Sequence, residues 1–279
     1  MMKRIPTLFL SLTLILILVM SFPISALAAS FELSATAKDS FDKMVSSTNA
    51  TSANLMNSRY ADILNLQQQS QDWDTKIKDL HTTNEGDLVA IKQQIQLVDS
   101  EKLVTLQTQL TEARNRYEPL FNMYESLNQQ KAAAKKLSNK TYYNLLQTQT
   151  ENMKIAVQLA RTDIRNKVSI HATAKNDAAK TKKTLRAMLD PISTLKKQIQ
   201  TTKSNTSTTQ KKFTAETSIF KQSIKNGHVS STLKSLEALV THIKKVIDYK
   251  QTTYSLEQQI SEIERKVKLK IPLIPSTAK

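Results

Sequence analysis

The sequence predicts an all-α protein built as an elongated antiparallel long-helix bundle, or coiled coil. Three observations carry this. Apolar residues recur in alternating steps of four and three through most of the chain, the spacing that gathers them on one side of a helix against a partner. There are two glycines in 279 residues, so few positions favour chain reversal. No segment alternates apolar and polar residues in steps of two, as a half-buried strand would.

In chain order, residues 1–28 read as a secretory signal peptide. Residues 1–4 are a short basic start and residues 8–20 an apolar core of 13 residues. Phe22 and Pro23 interrupt it, and Ala26 and Ala28 set small residues at the −3 and −1 cleavage positions. Roughly 20 apolar residues would be needed to span a bilayer, so the pattern predicts cleavage near Ala28. The mature chain is then expected to be secreted, extracellular or wall-associated.

The mature part is expected as a bundle over residues 29–270, in segments near 31–82, 87–137, 141–225 and 231–270. Ile63, Leu66, Trp73, Ile77 and Leu80 form the first seam, with Ser70 in a skipped slot; Leu88, Ile91, Ile95 and Val98 form the next. Leu106, Leu110, Ala113, Tyr117, Leu120, Tyr124 and Leu127 follow without a miss. Later seams are Leu185, Met188, Ile192, Leu195, Ile199; Leu233, Leu236, Val240, Ile243, Ile247; and Leu256, Ile260, Ile263, Val267. The slip of phase between Val98 and Leu103 adjusts supercoiling without requiring an end.

Turn chemistry sets the expected cuts. Gly86 ends the run Thr82, Thr83, Asn84, Glu85; Ser138 and Asn139 form the second turn, either able to cap the next helix; Asn226 and Gly227 form the third, with Ser230 or Ser231 as cap. Four segments joined by short turns imply antiparallel neighbours, and the third is too long for its neighbours. Pro119 predicts a kink, while Asp190 and Pro191, a capping residue before a first-turn proline, predict a break. Residues 201–209, without an aliphatic side chain, predict a loop or a weakly packed threonine-lined helix. Prolines at 272 and 275 predict an extended tail over 271–279.

Charge is split unevenly. Residues 29–130 carry 9 Lys and Arg against 14 Asp and Glu, whereas residues 131–279 carry 29 against 10. The asymmetry fits an anionic partner, a solvated lysine face, or an acidic half packing against a basic half. The absence of cysteine excludes a disulfide framework, a thiolate metal site and a cysteine nucleophile.

Candidate chemistry is sparse. His81, His171, His228 and His242 do not cluster, and His171 continues a seam; no metal or cofactor is expected. The acid pairs Asp72/Asp74, Glu85/Asp87, Asp99/Glu101 and Glu262/Glu264 are two apart, point to different faces, and read as solvated charge. No G-x-S-x-G, phosphate loop or S-x-x-K occurs, so no enzyme activity is expected. The strongest candidate surface is polyanion-binding, formed by Lys131, Lys135, Lys136, Lys140, Arg161, Arg165, Lys167, Lys175, Lys180, Lys182, Lys183 and Arg186, with Lys154 among them and Tyr142 and Tyr143 beside it. Lysine outnumbers arginine there ten to three, favouring diffuse attraction over bidentate recognition.

These features predict a secreted, non-enzymatic interaction protein held at the cell envelope by a basic half. Its expected partners are an anionic envelope polymer or lipid surface, or a protein engaging the seams; an export signal argues against nucleic acid. The layout resembles coiled-coil regions of exported peptidoglycan hydrolases, which implies a regulator or spacer. In gross shape it resembles secreted helical-bundle pore-forming toxins, which implies a membrane-active effector, although no internal apolar segment matches the one such toxins insert.

Overall fold

The computed structural model describes residues 31–271, so the signal peptide expected over 1–28 and the extended tail expected beyond Ile271 lie outside the described residues. Six helices and no strand are found among them: α1 Ala35–Ser47, α2 Ala50–Leu97, α3 Ser100–Lys136, α4 Lys140–Leu189, α5 Pro191–Lys225 and α6 Val229–Lys270. The all-α long-helix bundle is present, but its layout differs from four hairpin-linked helices.

The expected turn at Gly86 does not exist; α2 runs straight through it. The reason is the packing on either side. Met56, Ile63, Ser70, Ile77, Asn84, Ile91 and Val98 recur every seven residues and are all buried, so one continuous seam carries the helix. Gly86 faces solvent with nothing within 4 Å of a Cβ built on it. Its cost of about 1 kcal/mol relative to alanine is small beside that seam.

Two breaks fall elsewhere. Thr48 separates α1 from α2, and Asn49 caps α2 by accepting from the Ser52 N–H at 2.9 Å. Val98 is extended and Asp99 left-handed (φ 57°), so α2 stops where the seam phase slips, and α3 does not pack along α2. The slip therefore ends a helix after all.

Both true hairpin turns are Schellman motifs. At the first, Ser138 takes the left-handed region (φ 56°), its N–H reaches Lys135 O, and the Asn139 N–H reaches Ala134 O at 3.1 Å. Asn139 then caps α4 through the Tyr142 N–H. At the second, Gly227 (φ 73°) and His228 donate to Ile224 O and Ser223 O, 3.0 Å each. The helix that follows begins at Val229 without a side-chain cap, so neither Ser230 nor Ser231 serves as one.

α3 passes through Pro119; Asn115, whose carbonyl loses its partner there, is exposed and its carbonyl can meet water. The break expected at Asp190 and Pro191 is present, with α4 ending at Leu189 and α5 opening on Pro191 in its first turn, but Asp190 keeps α-region angles and makes no side-chain cap, so α5 carries on from α4 across it. Residues 201–209 are helical; Thr201, Thr202, Thr206 and Thr209 each donate to the carbonyl four residues back.

The topology follows. α5 and α6 form an antiparallel hairpin, α2 packs along α6, and α3 pairs with α4. Lys250 meets Ser70 and Asp74, Glu257 meets His81 and Asn84, and Lys268 meets Asp87. Numbers rise together, so α2 and α6 are parallel, not the antiparallel neighbours that short turns implied. The result is a three-helix body (α2, α5, α6) and a two-helix stalk (α3, α4) set end to end. Residues 140–225, the expected overlong segment, serve both parts and run about 125 Å at 1.5 Å per residue.

Two apolar cores hold the body. At the Gly227 end, Phe31 and the α1 residues Phe41 and Met44 dock onto Met56, Ile63, Phe213, Phe220, Leu236 and Ile243. The Phe31 ring stacks within 5.6 Å of Tyr60 and 5.4 Å of Phe220, centroid to centroid. At the stalk end, Leu88, Ile91, Ile95 and Val98 of the α2 side close on Leu185, Leu189, Ile192, Ile199, Ile260 and Val267. This second core seals both joints, at Asp99 and at Asp190.

Candidate functional site

Two regions carry chemistry: the basic surface of the stalk and a polar waist between the two cores.

The stalk is an antiparallel coiled coil. On α3, residues 103, 106, 110, 113, 117, 120, 124, 127, 131 and 134 are all shielded from solvent; on α4 the matching set is 146, 150, 153, 157, 160, 164, 167, 171, 174, 178, 181 and 185. Lys131, Lys167 and His171 thus sit half-buried in the seam, their stems covering apolar neighbours.

The other expected basic residues are spread along the stalk, at the end of α3 and down α4, and do not gather in a single patch. Lys135, Lys136 and Lys140 stand exposed at the apex; Lys154, Arg161 and Arg165 stand midway; Lys175, Lys180, Lys183 and Arg186 stand exposed near the body, with Lys182 half-buried. Lys154, Arg161, Lys175 and Lys182 each follow a seam residue at seven-residue register, so they line one edge of the seam. Arg114 and Lys135 hold the corresponding register on α3, which brings no acidic partner to that edge. α4 carries ten Lys and Arg against three acids. The single ion pair its cations make among the described residues is Lys167 to Asp163, at 3.9 Å within the same helix. Tyr142 lies exposed beside the apex, its hydroxyl donating to Gln130 Oε1 at 3.2 Å across the hairpin, while Tyr143 is half-buried.

The body spends its charges differently. Glu85 pairs with Lys196, Asp87 with Lys268 and Asp74 with Lys250. Each pair joins the acidic half to the basic half, so part of the asymmetry is neutralised within the fold.

The waist was not expected. On α6, Leu236, Ile243, Lys250, Glu257 and Glu264 share one seven-residue register, all buried. Lys250, 4% exposed, donates to Ser70 O at 3.0 Å, Ser70 Oγ at 2.6 Å and Asp74 Oδ2 at 2.7 Å. Glu257 Oε1 lies 2.8 Å from His81 Nδ1, and its Oε2 accepts from Asn84 at 2.9 Å. Burial pushes the Glu257 carboxyl upward, but the hydrogen bonds from His81 and Asn84, with the charges of His81 and Lys203, hold it below the usual range. Glu264 is 1% exposed and neither carboxylate oxygen has a hydrogen-bond partner. Burial, reinforced by Asp87 and Glu85 and only partly offset by Lys268 and Lys196, pushes it up to about 7.

The acid-pair reading is therefore corrected. Asp74, Glu85 and Asp87 hold helices together, and Glu264 is inside. Ser70 in the α2 seam was visible in sequence; the signal missed was the heptad spacing of Lys250, Glu257 and Glu264 in phase with Leu236 and Ile243. At Lys250 and Glu257 donors and acceptors face one another across α2 and α6, as in polar layers that set helix register, whereas Glu264 and Asn84 Oδ1 are buried without a hydrogen-bond partner. No group of three His, Cys, Asp or Glu able to hold a metal occurs among the described residues. No helix among them is long and apolar enough to cross a membrane.

No protein-family model matches the chain, no curated protein does, and no solved structure matches it.

Proposed function

We propose that this protein is an exported, non-catalytic interaction rod, retained at the cell envelope by the basic edge of its α3/α4 stalk. The ligand class is a polymer or surface bearing dense negative charge. One observation carries the reading: the body's interhelical ion pairs engage three of the six acids of α2, while among the described residues nine of the ten cations of α4 have no ionic partner. Uncompensated charge in a long row suits a polyanion, whose many weak contacts add up. The leader expected over residues 1–28 places that encounter outside the cytoplasm, and a rod of this length would also act as a spacer.

The test is retention on washed cell walls. Neutralising Lys154, Arg161, Lys175 and Lys182 to Gln should release the protein at lower salt than wild type. Neutralising four exposed α5 lysines, Lys197, Lys211, Lys212 and Lys221, should move the release point less. Equal effects of the two quadruple variants would contradict a stalk-borne site. So would retention persisting at 1 M salt, where electrostatic reach falls to about 3 Å.

A further inference from the structure

Large apolar side chains are exposed along the stalk, with Ile155 at 66%, Leu159 at 67% and Ile170 at 54%, and again at its apex, where they meet a lysine cluster free of acids. Leu137 is 80% exposed, Leu145 55% and Tyr142 42%. Lys135, Lys136 and Lys140 surround them, all exposed. No Asp or Glu occurs anywhere from residue 126 to residue 150. The turn itself gives Leu137 no work: the Schellman bonds run through Ser138 and Asn139 backbone groups, and the capping side chain is Asn139. A single exposed leucine is ordinary. An exposed leucine pair with a tyrosine, ringed by lysines in an acid-free window at the far end of a stiff hairpin, is a combination with a specific fit.

We infer that this apex is a docking tip for the headgroup region of an anionic lipid bilayer. The inference rests on the proposed polyanion reading for its charge, and goes beyond it by assigning the apolar side chains. A wall polymer would use the lysines and leave Leu137 and Leu145 idle. A second copy of the chain would bring two like-charged tips together. An anionic bilayer interface accepts both kinds of group: lysines at the negative surface, the tyrosine ring at headgroup level, leucines just below. The tip rests on the bilayer and does not cross it. Set about 55 Å beyond the Asp99 joint by the 37 residues of α3, it would hold the body clear of the membrane.

The experiment is co-sedimentation of the chain over residues 29–279 with phosphatidylcholine vesicles, with and without about one-third phosphatidylglycerol. Wild type should bind the anionic vesicles and not the neutral ones. Lys135→Gln, Lys136→Gln and Lys140→Gln together should weaken binding about 100-fold, near fivefold per lysine. Leu137→Ser with Leu145→Ser should weaken it at least about tenfold, with helix content by circular dichroism unchanged because both residues are exposed. Leu137→Trp should blue-shift its emission on anionic vesicles, against the constant signal of Trp73, which packs on Tyr254 in the body. Inorganic polyphosphate separates this inference from the broader one. If polyphosphate binds while the double serine variant sediments like wild type and the tryptophan does not shift, the bilayer tip is wrong and the polyanion reading stands. If neither probe binds wild type, both are wrong. Concentration-dependent dimerisation abolished by Leu137→Ser would assign the apex to a second copy and overturn the inference.

Discussion

Two glycines and one glutamate show how single residues take their meaning from the helix around them. Gly86 and Gly227 are the same residue type in opposite roles. Gly86 is helical and open to solvent, so Gly86→Ala should stabilise the protein by about 0.5–1 kcal/mol. Gly227 sits at φ 73°, so Gly227→Ala should cost about 1–2 kcal/mol despite equally open space. Thermal melts of the two variants check both signs; a destabilised Gly86→Ala would restore the turn expected there. Glu264 supplies a pH signature. Its folded value near 7 exceeds the ordinary 4.5, so the folded state keeps a proton that the unfolded state releases. Stability from this group is full below pH 4.5, falls as pH rises toward 7, and is level above. The whole effect is on the order of 3 kcal/mol. Glu264→Gln should flatten the decline in melting temperature across that window, and an unchanged slope would count against the buried carboxyl. Glu257, held below its ordinary value, has the opposite sense: its contribution is present above pH 4.5 and lost on further acidification.

At the scale of helices, apolar seams drive pairing and polar residues set register. Leu110 is buried in the α3 seam and Lys135 is exposed at its end. Leu110→Ala should cost about 2–4 kcal/mol in denaturant melts and Lys135→Gln under about 0.5; the reverse order would disprove the seam. Within the waist, Asp74→Ala leaves the Lys250 ammonium buried with only Ser70 for company. That should cost on the order of 3 kcal/mol, whereas Lys250→Met, which removes the buried charge itself, should be far milder. The sequence was legible where its signals were local. The apolar seams, the Asn139 cap and the Gly227 turn all stand as read. The Gly86 turn did not, because local glycine propensity gave way to a tertiary seam running from Met56 to Val98. The α2–α3 joint was misplaced because nothing but a phase slip marks it, and Asp99, read only as one of an acid pair, takes the left-handed turn. Of the candidate site, residue identities were legible and arrangement was not. Which edge of α4 a lysine occupies depends on α3 as partner, and α3 pairs with α4 alone only because α2 ends at Val98. The burial of Glu257 and Glu264 was hidden for the same reason: a charged residue at a seam position reads as solvated until the helix opposite is known.

For the molecule as a whole, the central claim is a division into two parts laid end to end. One is a three-helix body clamped by two apolar cores and interhelical ion pairs; the other is a two-helix stalk whose basic edge makes no interhelical ion pair among the described residues. Both the stalk-borne retention and the docking tip depend on that separation, since a stalk folded against the body would bring α2's acids to the basic edge. Small-angle X-ray scattering of residues 29–279 tests this most directly. End-to-end body and stalk predict a maximum dimension near 125 Å, from the helical rod over residues 140–225. A chain that reversed at Asp190, folding the stalk back along the body, would be no longer than the 50 residues of α4, a maximum dimension of about 75 Å, and that result would contradict the account.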